Sequence, residues 1–275
     1  ARARLNAASN AASNATGAPM FGKRILVLCA HPDDEVVGAS AAIGRARAKG
    51  VEVSAAFLTN GVPAIDKFWP WQRAGHARRV TRRWAECEAA ARLLGYGIAF
   101  RQDIATRTLK SALAGTQARI AETIQRAGID MLWAPAFEGA HQDHDAANCL
   151  AANFAKQVPV WEYAEYSNAG GRTLSQRFFA PNGTETVLEL TGAEMREKRA
   201  AMALYASERG NLKHIEARRE AFRPLPEYDY ARPPHQGVLF YQRFQWVWPR
   251  HPRVDYTKPE EVAAALAAFS AGDKA

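Results

Sequence analysis

Cysteine is scarce in this chain of 275 residues, with three in all, and Cys29, Cys87 and Cys149 are spaced for neither a zinc finger nor a redox pair. An odd count argues against a secreted fold built on disulfides, and each lies in an apolar strand or helical pattern, so all three are expected in the core. No apolar run reaches the roughly 18 residues that a membrane-spanning helix needs. A cytoplasmic location is therefore expected, with an exported form left open. The formal net charge is +8, yet no helix-turn-helix or RNA-recognition signature accompanies it, so nucleic acid is not an expected partner. The basic excess either reflects arginine usage alone or draws an anionic substrate or surface. Residues 1–19 are rich in Ala, Asn and Ser and lack the apolar segment of an intact signal peptide. They read as a disordered tail or a remnant of cloning or cleavage, with Met20 a natural start ahead of the first strand.

What is present is a core-forming composition, 48% hydrophobic and 23% charged, expected to make one domain over residues 20–275. Residues 23–30, KRILVLCA, form a short unbroken apolar run of the kind a buried parallel strand shows. An Ala-rich helix is expected over 35–49, stopped by Gly50, then a strand over 51–59 ending in LTNG. A helix over 76–94 is stopped by Gly95, and a short strand follows at 97–100. A helix over 116–127, a strand over 130–134, a helix over 146–157 and a strand over 159–166 continue the alternation. Beyond it, 186–190 is strand-like, 193–206 helical and 259–269 a final helix. Residues 238–248 alternate as a strand would, with Phe240, Phe244, Trp246 and Trp248 on one face. The pattern predicts an α/β fold, a Rossmann-like, doubly wound and mostly parallel sheet with helices on both faces.

Two polar clusters interrupt it. Ala30-His31-Pro32-Asp33-Asp34-Glu35 follows the first strand and opens a helix; His141-Gln142-Asp143-His144-Asp145 follows the fourth after a short loop and opens another. Ligands of open α/β sheets bind at the carboxyl ends of the strands, so both clusters fall on the functional edge. Taken singly, an Asp at a helix start is a cap or a surface charge. Taken together, His31, Asp34 and His144 can supply the three protein ligands of a hydrolytic zinc site with a fourth position open. Asp33 and His141 are then left beside the ion, a carboxylate able to take a proton from water and an imidazole able to steady an oxyanion or protonate a leaving amine. Glu35 and Asp145 are expected to be helix-start charges or supports of the ligands. His76, His214, His235 and His251 lack such a setting and are read as structural or surface residues.

These residues resemble the LmbE-like, or PIG-L-like, N-acetylglucosamine deacetylases, whose hallmark is an AHPDDE motif after the first strand and a later HPDH-type motif. Gln142 stands here where that second motif usually has Pro. Leu58-Thr59-Asn60-Gly61 resembles the family's turn after the second strand, and RWAECEAAARLLG over 83–95 its Arg- and Glu-led helix. The likeness covers about residues 22–165 and fades from 166, where the part specific to the substrate is expected to begin. It implies that His31, Asp34 and His144 bind Zn2+ or another divalent ion, that Asp33 is the general base and that His141 steadies the tetrahedral intermediate. It also implies that Arg83 and Asp103 contact the sugar or a neighbouring polar group.

The implied substrate is an N-acetylated amino sugar within a larger conjugate. Trp69 and Trp71, in the loop after the second strand, can wall its cavity by stacking on a sugar or an apolar aglycone. Two rival readings stay open: a zinc amidase on a non-sugar amide, and a non-catalytic sugar-binding module, against which Asp33 and His141 argue because binding needs neither. A nucleotide-binding Rossmann domain is disfavoured because HPDDE replaces the glycine-rich phosphate loop.

Overall fold

The computed structural model describes residues 20–247, 251 and 254–272; the readings made for residues 1–19 and for Trp248 lie outside them. In chain order the elements are β1 (Arg24–Cys29), α1 (Asp34–Ala48), β2 (Glu52–Phe57), the single turn α2 (Pro70–Arg73), α3 (His76–Leu94), β3 (Gly97–Arg101), α4 (Leu113–Ala127), β4 (Met131–Pro135), α5 (Gln142–Ala152) and β5 (Val160–Tyr163). A hairpin of β6 (Tyr166–Ala169) and β7 (Arg172–Ser175) follows. The remainder is β8 (Thr186–Glu189), α6 (Gly192–Leu204), the short α7 (Arg209–Leu212), β9 (Arg219–Pro224) and α8 (Pro259–Gly272).

Seven strands make one sheet in the order β3-β2-β1-β4-β5-β9-β8. The five from β3 to β5 are parallel, while β9 and β8 extend the sheet antiparallel. The chain winds outward from β1 in one direction through β2 and β3, then crosses back to place β4 on the other flank of β1. That reversal is the topological switch point, and it lies between the two strands that the polar clusters follow.

The apolar runs are explained by burial on both faces. Ile25, Val27 and Cys29 of β1 join the core under α1, α3 and α6, and Leu26 and Leu28 join the core under α4, α5 and α8. In β4, Met131 and Trp133 face the first core and Leu132 and Ala134 the second. All three cysteines are free and buried, as expected.

Four expectations are corrected. Residues 238–247 are no strand: 240–242 form a 3-10 turn followed by further turns, in which the amides of Gln242, Gln245 and Val247 bond to carbonyls three residues back instead of across a sheet. Their aromatics do not share a buried face, since Trp246 is 80% and Phe244 53% exposed. Helix α5 starts at Gln142 rather than 146, and the strand expected over 159–166 ends at Tyr163. Strand β9 and the β6–β7 hairpin were not anticipated.

Helix α1 reaches its place by close approach. A Cβ on Gly38 would lie 2.2 Å from Cδ2 of the Tyr163 ring, and Tyr163 is itself fixed by donating its hydroxyl to the carbonyl of Leu28 at 2.8 Å. Ala is intrinsically about 1 kcal/mol better than Gly inside a helix, yet overpacking of this kind costs about 1–3 kcal/mol. Gly38→Ala is therefore expected to destabilise the protein, read as a lower urea midpoint; a variant as stable as the parent would show that α1 has room to shift.

Candidate metal centre

The HPDDE turn leaves β1 and enters α1 through Asp33, whose φ of 133° is rare for a residue with a side chain. Its carbonyl accepts the first helical amides, from Val36 at 3.1 Å and Val37 at 2.9 Å. Its own amide donates to Glu35 Oε2 at 3.1 Å, and the other Glu35 oxygen accepts from the hydroxyls of Tyr96 and Tyr205. Glu35 is thus a buried brace for the turn, its carboxyl pushed up to about 7 by burial despite those hydroxyls. The turn after β2 supports the same loop from the side. Thr59 donates its amide and hydroxyl to the Ala30 carbonyl, and Gly61 lies so near Arg83 and Pro32 that a Cβ would meet them at 2.9 and 3.1 Å.

The second cluster forms the first turn of α5, capped by the His141 ring, whose Nδ1 accepts from the Asp143 amide at 3.1 Å. That bond assigns the proton of the neutral ring to Nε2, and burial together with the neighbouring His31 holds His141 well below the usual histidine range.

The two turns meet. His31 Nδ1 lies 3.6 Å from Asp34 Oδ1, His144 Nε2 lies 3.3 Å from the same oxygen, and the two ring nitrogens are 3.3 Å apart. Donors bound tetrahedrally to zinc at about 2.0–2.1 Å stand about 3.3 Å from one another, so these three side chains are spaced as a zinc site requires. A second grouping, His31 with His141 and Asp143, fits poorly. Its Asp143 Oδ2 already accepts from Thr106 Oγ1 at 2.9 Å and the Arg107 amide at 2.6 Å, and His141 Nδ1 is taken by its cap.

Charge suits a cation here. Asp34, Glu35, Asp143 and Glu165 are all buried around the histidines. Burial alone would lower the His31 imidazole, but Asp34 and Asp143 on its two sides outweigh it and push it up to about 10. Asp34 is held far below the carboxylate range by His144 and His31 in spite of its burial. Asp33 behaves oppositely. Burial raises it well above the carboxylate range, Arg83 at 3.8 Å only partly opposing.

Asp143, given no role from sequence, accepts from Thr106, Arg107 and Leu109 and faces His31 Nε2 at 3.1 Å, fixing that ring with Nδ1 free. The signal was its place inside the HQDH cluster. Arg83 is 4% exposed, not a solvated helix charge; it donates to the Pro32 carbonyl at 3.0 Å and to Glu208. Asp103 is exposed, one oxygen held by Asn60 Nδ2 at 2.7 Å. Trp69 and Trp71 stack on each other with centroids 5.5 Å apart, Trp71 75% exposed and Trp69 against His251. Gln142 donates to Asp255 Oδ2 and Thr257 and accepts from Lys110, tying the motif to the C-terminal segment.

This is an α/β domain with its polar site at the switch point of a doubly wound sheet. Residues 26–155 match the model of the PIG-L family, described as GlcNAc-PI de-N-acetylase. No curated protein matches the chain in sequence. Among solved structures it is similar to the zinc-inhibited form of teicoplanin deacetylase Orf2, at 17% identity and a TM-score of 0.55, covering 75% of this chain and 99% of that one. It is similar also to N,N'-diacetylchitobiose deacetylase from Pyrococcus horikoshii, at 19% identity and 0.51, covering 68% and 70%. A third, GalB, the 4-carboxy-2-hydroxymuconate hydratase from Pseudomonas putida KT2440, shares 18% identity and 0.53, covering 75% and 98%.

Two predictions arise. A left-handed φ held by a side-chain-bearing residue costs about 1–3 kcal/mol, so Asp33→Gly is expected to melt above Asp33→Ala by at least about 1 kcal/mol in chemical denaturation; equal stabilities would mean the turn is unstrained. Glu138, in the loop before α5, is pushed up to about 8 by burial while accepting from the Phe179 amide. The folded state therefore holds a proton that the unfolded chain releases, and the stability it contributes is full below about 4.5 and lost as pH rises toward 8. Glu138→Gln should gain Tm relative to the parent between pH 5 and pH 8; a difference independent of pH would refute this.

Proposed function

We propose that the chain is a metal-dependent hydrolase that removes the acetyl group from the nitrogen of a GlcNAc-type amino sugar carried on a larger conjugate, giving acetate and the free amine. One observation carries the reading: three ligand atoms at 3.3–3.6 Å from one another, with Asp33 and His141 beside them. The family description and the deacetylases of like fold support it. Zinc is the proposed ion, held by His31, Asp34 and His144. A relative crystallised in a zinc-inhibited form makes the choice of divalent ion something to measure.

Bound there, the ion would supply Lewis acidity, polarising an amide carbonyl and lowering the pKa of a water to about 7. The chain does the rest. Asp33, its proton affinity raised by burial, accepts a proton as water attacks the carbonyl carbon. His141, neutral with its proton on Nε2, donates a hydrogen bond to the carbonyl oxygen as negative charge grows on it. Asp33 then passes its proton to the departing nitrogen, so the amine leaves neutral. Arg83, anchored by Pro32 and Glu208, keeps the Asp33 carboxylate in reach and offers a donor to substrate oxygens. Asp103 offers an acceptor, and the Trp69–Trp71 stack a flat face for the sugar or its aglycone.

The test is acetate release from a panel of GlcNAc conjugates and simple acyl amides after metal analysis and chelation. Chelator is expected to abolish release and a divalent ion to restore it. Asp33→Ala should bind the ion as the parent does yet lose about 10²–10⁴-fold in kcat; near-parental turnover would remove Asp33 from the base role. Hydrolysis of acyl amides without sugar preference would favour the amidase reading, and hydration of an unsaturated acid would place the chain with the hydratase of like fold.

A further inference from the structure

Glu165 follows β5 and is 3% exposed, and its Oε1 is fully buried with no hydrogen-bond partner. That oxygen faces Nδ1 of His144 at 3.9 Å. His144 is 1% exposed and directs its other nitrogen, Nε2, at Asp34 and His31, which leaves the ring proton on Nδ1. We propose that Glu165 is the positioning residue of His144, accepting its Nδ1–H as Asp143 accepts the Nε2–H of His31. The inference rests on the metal-site reading above. The gap is about 1 Å longer than a hydrogen bond from a ring nitrogen to a carboxylate, and the proposal requires the two groups to close it when the ion binds.

The surroundings of Glu165 are built to hold it. Its carbonyl accepts the Gln176 amide at 2.8 Å, and Gln176 is fully buried with a φ of 55°. The Gln176 side chain accepts from Lys198 Nζ at 3.1 Å, and Lys198, itself fully buried, is paired with Glu220 at 2.9 Å. Glu220 is anchored by Ser40 and the amides of Ala41 and Ala42 on α1. A continuous polar chain thus links the helix that carries Asp34 to the backbone of Glu165, the residue behind His144. Neither the buried ion pair nor the strained Gln176 has a part in the chemistry; both gain a purpose if the register of Glu165 matters.

Loss of such a support typically weakens metal affinity 10–100-fold. Zinc affinity of the full chain, measured by competition with a chromogenic chelator, should fall in that range for Glu165→Ala. For Glu165→Gln it should fall by an intermediate amount, since the amide keeps an acceptor but loses the charge. The visible spectrum of the Co2+-loaded variants should change in the same order, with circular dichroism confirming the fold. If Glu165→Ala does not fold, the Glu165→Gln affinity decides alone. Parental affinity and spectrum in the folded variants would overturn the proposal. His144→Ala separates the two readings: if it too binds zinc like the parent, the metal site itself is misassigned, and the fault does not lie with Glu165.

Discussion

Asp143 takes the Nε2 side of His31 while Asp34 and His144 crowd its Nδ1 side, so one imidazole is gripped from both of its nitrogens. That grip exists only because β1 and β4 are sheet neighbours separated in sequence by a hundred residues. The turn after β1 delivers His31 and Asp34, and the turn after β4 delivers Asp143 and His144. Neither turn makes a site alone. The sheet's reversal at this point leaves a cleft between the two crossovers in which side chains from both can meet.

Burying so many carboxylates among neutral rings is costly unless something positive joins them. The fold supplies Arg83 to one flank and Lys198 behind another, each already committed to a glutamate. The histidines pressed between Asp34 and Asp143 are the nearest groups able to answer the remaining negative charge, either by taking protons or by holding a cation. The same cluster divides its carboxylates by environment. Asp34, wedged between imidazoles, is held far below the usual carboxylate range, whereas Asp33, one residue away, is raised well above it by burial. Adjacent aspartates thereby acquire opposite proton affinities, as the proposed ligand and base would require.

Sequence periodicity revealed the parallel half of the sheet because strands covered on both faces are apolar throughout, as 25–29 and 131–134 are. It concealed β9 for the opposite reason. Arg219-Glu220-Ala221-Phe222-Arg223-Pro224 reads as a polar loop, yet Glu220 and Arg223 are buried, neutralised by Lys198 and by Glu162. A charge buried with its partner carries no local signature, since the partner sits elsewhere in the sequence. The start of α5 was hidden likewise: Gln142, Asp143, His144 and Asp145 break the apolar period although all four are buried. Alternation over 238–248 misled because a strand needs a neighbour to complete its hydrogen bonds, and alternation says nothing of whether one exists. For the site, the two histidine clusters were legible as motifs and Glu35 as a helix-start charge or a support of the ligands; the part of Asp143, which faces His31, became visible only once contacts were known.

Similarity in fold to two deacetylases and a hydratase shows that this sheet does not dictate a reaction. What narrows the chemistry is the set of side chains at the strand ends, and much of what surrounds them comes from beyond residues 26–155, the stretch that matches the PIG-L model. Tyr166 packs beside His144 and Phe240 beside Tyr166. Asp255 and Thr257 tie the C-terminal segment to Gln142 at the start of α5, and Arg107, whose amide holds Asp143, reaches the Val254 carbonyl. Gln142 therefore does more than replace a proline: a proline there would have no side-chain amide to offer, and the bonds to Asp255 and Thr257 would be lost. The switch point fixes where the two polar clusters meet, and the C-terminal segment is bound to the start of the helix that carries one of them.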